Sequence, residues 1–183
     1  SRLATVYVVL PTYVGSDVAH FRPKGIEHAR AAIALDATLA EPYAALGMVS
    51  GDTGKLVDQL ANFETALRLD PDDPLSNFWY GLRLARSGYV IRGTALIDHA
   101  LQIDPMLPNG LTWRGWVYVF DGDTVNARRV LERALDLGIG NAHLPLSLVE
   151  HADGNDAKAI AEMDLGLAAF GAGLPVETPG LIA

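Results

Sequence analysis

A 34-residue period is the feature of this sequence that most constrains its fold. Residues 66–74 read ALRLDPDDP and residues 100–108 read ALQIDPMLP, so the same residue types recur 34 positions apart. Other rows keep this spacing, and they are Gly47, Gly81 and Gly115; Gly54, Gly88 and Gly122; and Ala32, Ala66, Ala100 and Ala134. A fixed period of this length is typical of stacked repeats, each of which buries its apolar face against the next.

Each repeat is predicted to contain two helices. Pro74 fits the first turn of a helix, and Gly88 provides a C-terminal break. A second helix follows and ends at Asp104, because the residue before Pro105 is disfavoured in helical conformation. The next unit repeats this pattern over residues 108–137. The chain is therefore expected to fold as a series of helix hairpins.

Glycine recurs at one place in the first helix of each repeat, at positions 47, 81 and 115. A glycine inside a helix costs about 1 kcal/mol relative to alanine. The recurrence of this cost indicates that two helix backbones approach closely at that place.

These rows resemble the tetratricopeptide repeat family, in which small residues occupy the eighth, twentieth and twenty-seventh places and proline the thirty-second. The eighth place holds the three glycines and the twenty-seventh the four alanines. The twentieth place holds Gly25, Gln59, Gly93 and Ala127, and the thirty-second holds Ala37, Pro71, Pro105 and Ile139. The match covers about residues 24–137. The resemblance implies an all-α fold, a right-handed α-solenoid of stacked antiparallel helix pairs.

The expected domain organisation is a tandem of helix pairs over residues 21–171, with core repeats near 40–71, 74–105 and 108–137 and a degenerate pair at 142–171. The apolar run at residues 3–15 is too short to span a membrane. Residues 1–20 are therefore read as an apolar segment or the first helix of a degenerate repeat, with a strand or a signal remnant as alternatives. Residues 172–183 read as a tail, and Ser1 in place of Met indicates a processed product or part of a longer chain.

Composition excludes several classes of function. The net charge of −8 argues against a nucleic-acid partner, because phosphate binding needs clustered Lys and Arg. The absence of cysteine excludes disulfides and thiolate metal sites and leaves the compartment open, with the cytoplasm favoured. Arg128, Arg129 and Arg133 stand beside acidic residues and predict a mixed charged outer face.

No pattern of enzyme chemistry stands out in the sequence. It contains neither a P-loop nor a nucleophile elbow. The aspartates near Asp121 and Asp153 lack the glycine and distal glutamate of a calcium loop, and none of the five histidines forms an i, i+4 pair. We therefore predict a non-catalytic protein with no cofactor, no metal and no membrane partner.

In the tetratricopeptide family, the first helices line a concave groove with their second, fifth, ninth, twelfth and thirteenth places. Here those places are largely apolar, which is typical of a surface that binds a partner. The residues expected to bind it are Met48, Phe78, Leu82, Arg86, Thr112, Trp116 and Phe120. The places where some family members hold a peptide carboxylate lack Lys, Arg and Asn. The expected ligand is therefore an apolar helix or an extended segment of a protein.

Several alternatives stay open from the sequence. The N-terminal apolar run could fill the groove, or the groove could mediate self-association into a homo-oligomer. Residues 25–47 also resemble repeat regions that accompany DNA-binding or nucleotide-cyclase domains in bacterial regulators, which implies a sensory or regulatory segment. Arg114 replaces a usually buried leucine. We expect its stem to pack while its head reaches solvent, the alternative being a buried functional cation.

Overall fold

The computed structural model describes residues 3–8, 18–49 and 56–171, and all regular structure in these ranges is helical. The α-helices are α1 (3–8), α2 (Val18–Leu35), α3 (Ala40–Val49), α4 (Leu56–Leu69), α5 (Pro74–Arg86), α6 (Val90–Ile103), α7 (Pro108–Phe120), α8 (Thr124–Asp136), α9 (His143–Ala152) and α10 (Asp156–Gly171). A 3₁₀ turn at Gly140–Ala142 precedes α9. None of these helices is long and apolar enough to cross a membrane. The predicted all-α fold class is confirmed.

The helices associate in pairs, and the pairs stack in sequence order. The packed pairs are α3 with α4, α5 with α6, α7 with α8, and α9 with α10. The second helix of each pair also contacts the first helix of the next pair, as α4 contacts α5 and α6 contacts α7. This is the predicted solenoid of stacked helix hairpins.

A close approach of two helices explains the glycines of the α5–α6 pair. A Cβ atom added to Gly93 would lie 2.5 Å from the carbonyl oxygen of Gly81, and one added to Gly81 would lie 2.6 Å from that of Gly93. In the next pair the cause differs, because a Cβ on Gly115 would overlap the side chain of Leu131. The glycines at this place of the repeat therefore leave room either for the backbone or for a large side chain of the partner helix.

Turn and cap residues fix where the helices of the stack begin and end. Gly88 and Gly122 have φ of +93° and +75°, the left-handed conformation that glycine adopts without strain. The Asp73 side chain accepts a hydrogen bond from the backbone N–H of Ser76 at 2.7 Å, which caps the N-terminus of α5. Asp123 caps α8 in the same way.

The last pair keeps the packing pattern of the others, with a spacing of 32 residues instead of 34. The turn glycine Gly154 corresponds to Gly122, 32 residues earlier. With this spacing, the places that hold small residues in the earlier repeats are occupied by Ser147, Ala159 and Gly166. A Cβ atom on Gly166 would lie 2.6 Å from the Leu144 side chain, so helix packing again needs a small residue there.

The N-terminal apolar run begins as helix α1. Ala4 of this helix is fully buried and packs with Ala29 and Ala45. The remainder of that run, residues 9–15, and the predicted tail, residues 172–183, lie outside the described residues.

Candidate functional site

The structure buries three of the seven residues expected to line the groove. Phe78 and Leu82 belong to a core cluster with Ile97 and Leu107, because the turn before α7 covers the α5–α6 pair at this level. Thr112 is buried as well. These three are core residues rather than partner-facing surface, since a core side chain offers no area to a ligand.

The other four predicted residues retain accessible surface. Trp116 and Phe120 lie one turn apart on α7, and their rings stack with centroids 5.7 Å apart and planes at 23°. Phe120 is 77% exposed and Trp116 is partly buried. Arg86 is exposed at the end of α5, at the position that Phe120 occupies one repeat later, so the two follow one wall of the solenoid. We name Trp116, Phe120 and Arg86 the aromatic patch.

Met48 stands apart from the patch. It is partly buried and packs against the core cluster of Phe63, Tyr80 and Leu84. Its side chain therefore supports the neighbouring repeat and adds little open area to the groove.

A second cation accompanies Arg86 on the last turn of α5. Burial lowers the pKa of Arg83, and repulsion by the Arg86 charge lowers it further. Two cations at a helix C-terminus are favourable for the helix dipole. The end of α5 therefore carries two cations in a protein whose net charge is −8.

Arg114 connects two repeats and does not extend freely into solvent. Its Nε lies 2.7 Å from an Asp98 carboxylate oxygen, and its guanidinium lies 4.0 Å from the centroid of the Tyr118 ring. The Arg114 side chain is 17% exposed and the Asp98 side chain 41% exposed, so the pair lies at the boundary between the two helices and solvent. The ion pair with Asp98 joins α6 to α7, which gives this cation a structural role.

A charged cluster that the sequence analysis missed joins the last three helices. The Glu150 side chain of α9 is 1% exposed, and its carboxylate is paired with Arg128 of α8 and, at 2.6 Å, with Lys158 of α10. Asn155 donates to the same carboxylate at 3.1 Å, and Arg128 also pairs with Asp153 at 2.9 Å. Arg128 thus points into an inter-helix contact, contrary to the predicted charged outer face.

These partners keep Glu150 ionised. The hydrogen bond from Arg128 is the main cause that lowers the pKa of Glu150 to about 2, with Lys158 and Asn155 adding to it against the effect of burial. Because the carboxylate holds no proton near neutral pH and its oxygens already accept from three side chains, it is suited to joining helices and not to acid–base catalysis.

The histidines with a described acidic partner each face a single carboxylate. The pairs are His99 with Asp72, His143 with Glu162 and His151 with Asp156, at 3.3, 2.6 and 2.7 Å. Across residues 3–8, 18–49 and 56–171, His, Asp and Glu form no group of three or more that could hold a metal ion.

A second open surface lies at the C-terminal end of the stack, between α9 and α10. A shallow cavity of about 530 Å³ is lined by Ser147, Leu148, His151, Asp156, Ala159, Ile160, Met163 and Asp164. The helical spacing of Ile160, Met163 and Leu167 indicates an apolar face on α10. The 34-residue period does not reveal this face, because the last pair follows a spacing of 32 residues.

Comparisons with known proteins identify the architecture. No protein-family model matches the sequence, and no curated protein matches it. Among solved structures, TTC0263, a thermophilic TPR protein of Thermus thermophilus, aligns over 93% of this chain and 97% of its own with a TM-score of 0.67 and 17% identity. MamA aligns over 84% of this chain and 91% of its own, with a TM-score of 0.64 and 15% identity.

YrrB, described as a TPR protein with an unusual peptide-binding site, aligns over 91% of this chain and 86% of its own, with a TM-score of 0.60 and 17% identity. At these identities the likeness concerns the fold, which is that of tetratricopeptide repeat structures.

Proposed function

We propose that this chain, which has the tetratricopeptide repeat fold, is a non-catalytic module that binds an apolar segment of another protein at the aromatic patch. The observation that carries the proposal is the stacked pair of Trp116 and Phe120, one ring of which is 77% exposed on a wall of the solenoid.

The energetics of the patch favour binding. Burying a Phe side chain that was exposed stabilises a complex by roughly 1.5–3 kcal/mol. Stacking on Trp116 already restricts the Phe120 ring, so less side-chain entropy is lost on binding. Aromatic residues and Arg are also the side chains most often found at the centre of interfaces.

The chemistry of the patch defines the ligand. Two stacked rings offer an apolar platform, and Arg86 and Arg83 place positive charge one repeat away. A helix or extended segment with apolar side chains and a flanking Asp or Glu would satisfy both. The peptide-binding site described for YrrB supports the idea that this architecture holds such segments.

The test is capture of partners from native lysate with matched variants. A chain carrying Trp116→Glu and Phe120→Glu is compared with the wild type, and Ile91→Glu serves as the control because Ile91 is also highly exposed but lies on α6. Circular dichroism checks that all three fold. We expect a specific partner with the wild type and the control, and at least tenfold weaker binding with the double variant.

Equal capture by all three proteins would refute the patch as the binding site. Equal losses in the double variant and the Ile91→Glu control would show that added surface charge, not the patch, caused the effect.

A further inference from the structure

The last helix, α10, carries an uncovered apolar face with one acidic residue. Ile160, Met163, Asp164 and Leu167 are spaced i, i+3, i+4 and i+7 and therefore share one side of the helix. Ile160 is 64% exposed, and Leu167 is exposed as well. We name these four residues, together with Leu148 of α9, the end face.

The residues equivalent to Met163 in the preceding repeats are buried. The position of Met163 corresponds to Phe63, Ile97 and Leu131, which are at most 1% exposed, whereas Met163 is 37% exposed. In those repeats the following first helix provides cover, as when the ring of Tyr80 stacks on Phe63 at 5.6 Å. The end face thus has the shape of a surface that receives a helix.

An acidic residue accompanies this surface in four repeats. Asp164 corresponds to Glu64, Asp98 and Glu132. Glu64 accepts a hydrogen bond from the Tyr80 hydroxyl at 2.9 Å, and Asp98 pairs with Arg114 at 2.7 Å. Tyr80 and Arg114 occupy the same place in successive first helices, so a donor at that place meets the acidic residue at two junctions.

Asp164 lacks such a donor. Within residues 3–8, 18–49 and 56–171 it has no hydrogen-bond or ion-pair partner. Of the other acidic residues of α10, Glu162 pairs with His143 of α9 and Asp156 pairs with His151, whereas the only lysine of this helix, Lys158, pairs with Glu150. Asp164 is thus the carboxylate of the end face that has no described partner. The end face therefore complements a helix that brings positive charge.

We propose that the end face is a docking site for an amphipathic helix of a partner protein, with an Arg or Lys placed to pair with Asp164. Residues 172–183 contain no Arg, Lys or Tyr and cannot supply this donor. A second copy that presented its own end face would not supply the donor either, because the end face contains no Arg or Lys.

The probe is a blocked, fluorescently labelled peptide of residues 104–123, which includes α7, the helix that packs on α6, the equivalent of α10. In the peptide Gly115 is changed to Ala, because the space at Gly115 is needed for Leu131 of α8, which the peptide lacks. Binding to the full chain is followed by fluorescence anisotropy.

A double-mutant cycle tests the ion pair. We expect Asp164→Asn to weaken binding about three- to tenfold, the range of a partly exposed charged hydrogen bond. The same substitution should have little effect on a peptide with Arg114→Gln. Ile160→Glu should weaken binding at least tenfold, while Ile91→Glu and the Trp116→Glu, Phe120→Glu variant bind as the wild type does.

Four results would overturn the proposal. They are no saturable binding of the peptide to the wild type; equal binding by Ile160→Glu; a loss caused by the aromatic-patch variant alone; and, in sedimentation, self-association of the chain that Ile160→Glu abolishes. The last would assign the end face to a second copy. Because Ile160 lies outside the aromatic patch, failure here is distinguishable from failure of the proposed function.

Discussion

Replacing Gly93 by Ala should destabilise the protein, although alanine is the better helix former. The added Cβ would lie 2.5 Å from the Gly81 carbonyl oxygen and 2.6 Å from the Ala85 backbone nitrogen, whereas ordinary contacts begin near 3.4 Å. Backbone atoms cannot rotate away, so α5 and α6 must separate by about 1 Å, which weakens dispersion contacts along the pair.

The magnitude follows from two opposing contributions. Overpacking a close contact costs about 1–3 kcal/mol, and a clash with backbone belongs at the upper end. Exchanging Gly for Ala within a helix stabilises the helix by about 1 kcal/mol. The expected net loss is about 2 kcal/mol, which lowers the melting temperature of a chain of this length by about 4–8 °C.

Gly110→Ala is the matched control. The atoms nearest to its Cβ would be side-chain carbons of Leu101 and Leu107, at 3.1 and 3.2 Å, and no backbone atom lies as close. We expect the free energy of unfolding of this variant to lie within about 0.5 kcal/mol of the wild-type value, because the gain in helix propensity offsets a small side-chain adjustment. Urea unfolding followed by circular dichroism measures both variants, with the slope checked for loss of cooperativity. A Gly93→Ala protein as stable as Gly110→Ala would refute the close-approach argument.

Three further predictions concern single interactions. Tyr80→Phe removes the hydrogen bond to Glu64 and should cost about 1 kcal/mol in urea unfolding. Asp73→Ala removes the cap on the Ser76 N–H and should cost about 1 kcal/mol in the same assay. Because the pKa of Glu150 is lowered to about 2, its stabilisation is complete above the unfolded pKa near 4.5 and is lost as the pH falls toward 2. Unfolding midpoints of the wild type should therefore fall more steeply between pH 5 and 2 than those of Glu150→Gln.

Each of these predictions has a contradicting outcome. An unchanged midpoint for Tyr80→Phe would mean that the Glu64 bond adds nothing beyond ring stacking. Asp73→Asn is the control for the cap, since asparagine also caps well, and equal losses for Ala and Asn would argue against capping. If the unfolding midpoints of the wild type and of Glu150→Gln fall equally with decreasing pH, the ionised Glu150 carboxylate does not contribute to the acid sensitivity.

The repeat, the helix pairs and the glycine breaks between helices can be predicted from the sequence alone. These are local properties: Gly88 ends α5 because it adopts a positive φ, and Pro74 and Pro108 begin helices because proline fits a first turn. The period adds the stacking, since a hairpin with an apolar face must bury it against its neighbour.

Which residues form an open surface depends on the packing of the helices. Phe78 and Phe120 both appear in the sequence as aromatic residues at groove places, yet one is core and the other is 77% exposed. The difference arises because the turn before α7 covers Phe78, while no described element covers Phe120. Burial depends on neighbours distant in sequence, which periodicity does not report.

The same reason accounts for Glu150 and the end face. Glu150 meets Arg128 across 22 positions of sequence, and only the packing of α8 on α9 turns two ordinary surface residue types into an ion pair with a buried carboxylate. Met163 lies at a place of the repeat that is buried in the earlier pairs. It is exposed here because the described part of the stack ends with its helix. Sequence defines the unit that repeats, whereas contacts between units determine which faces stay open to a partner.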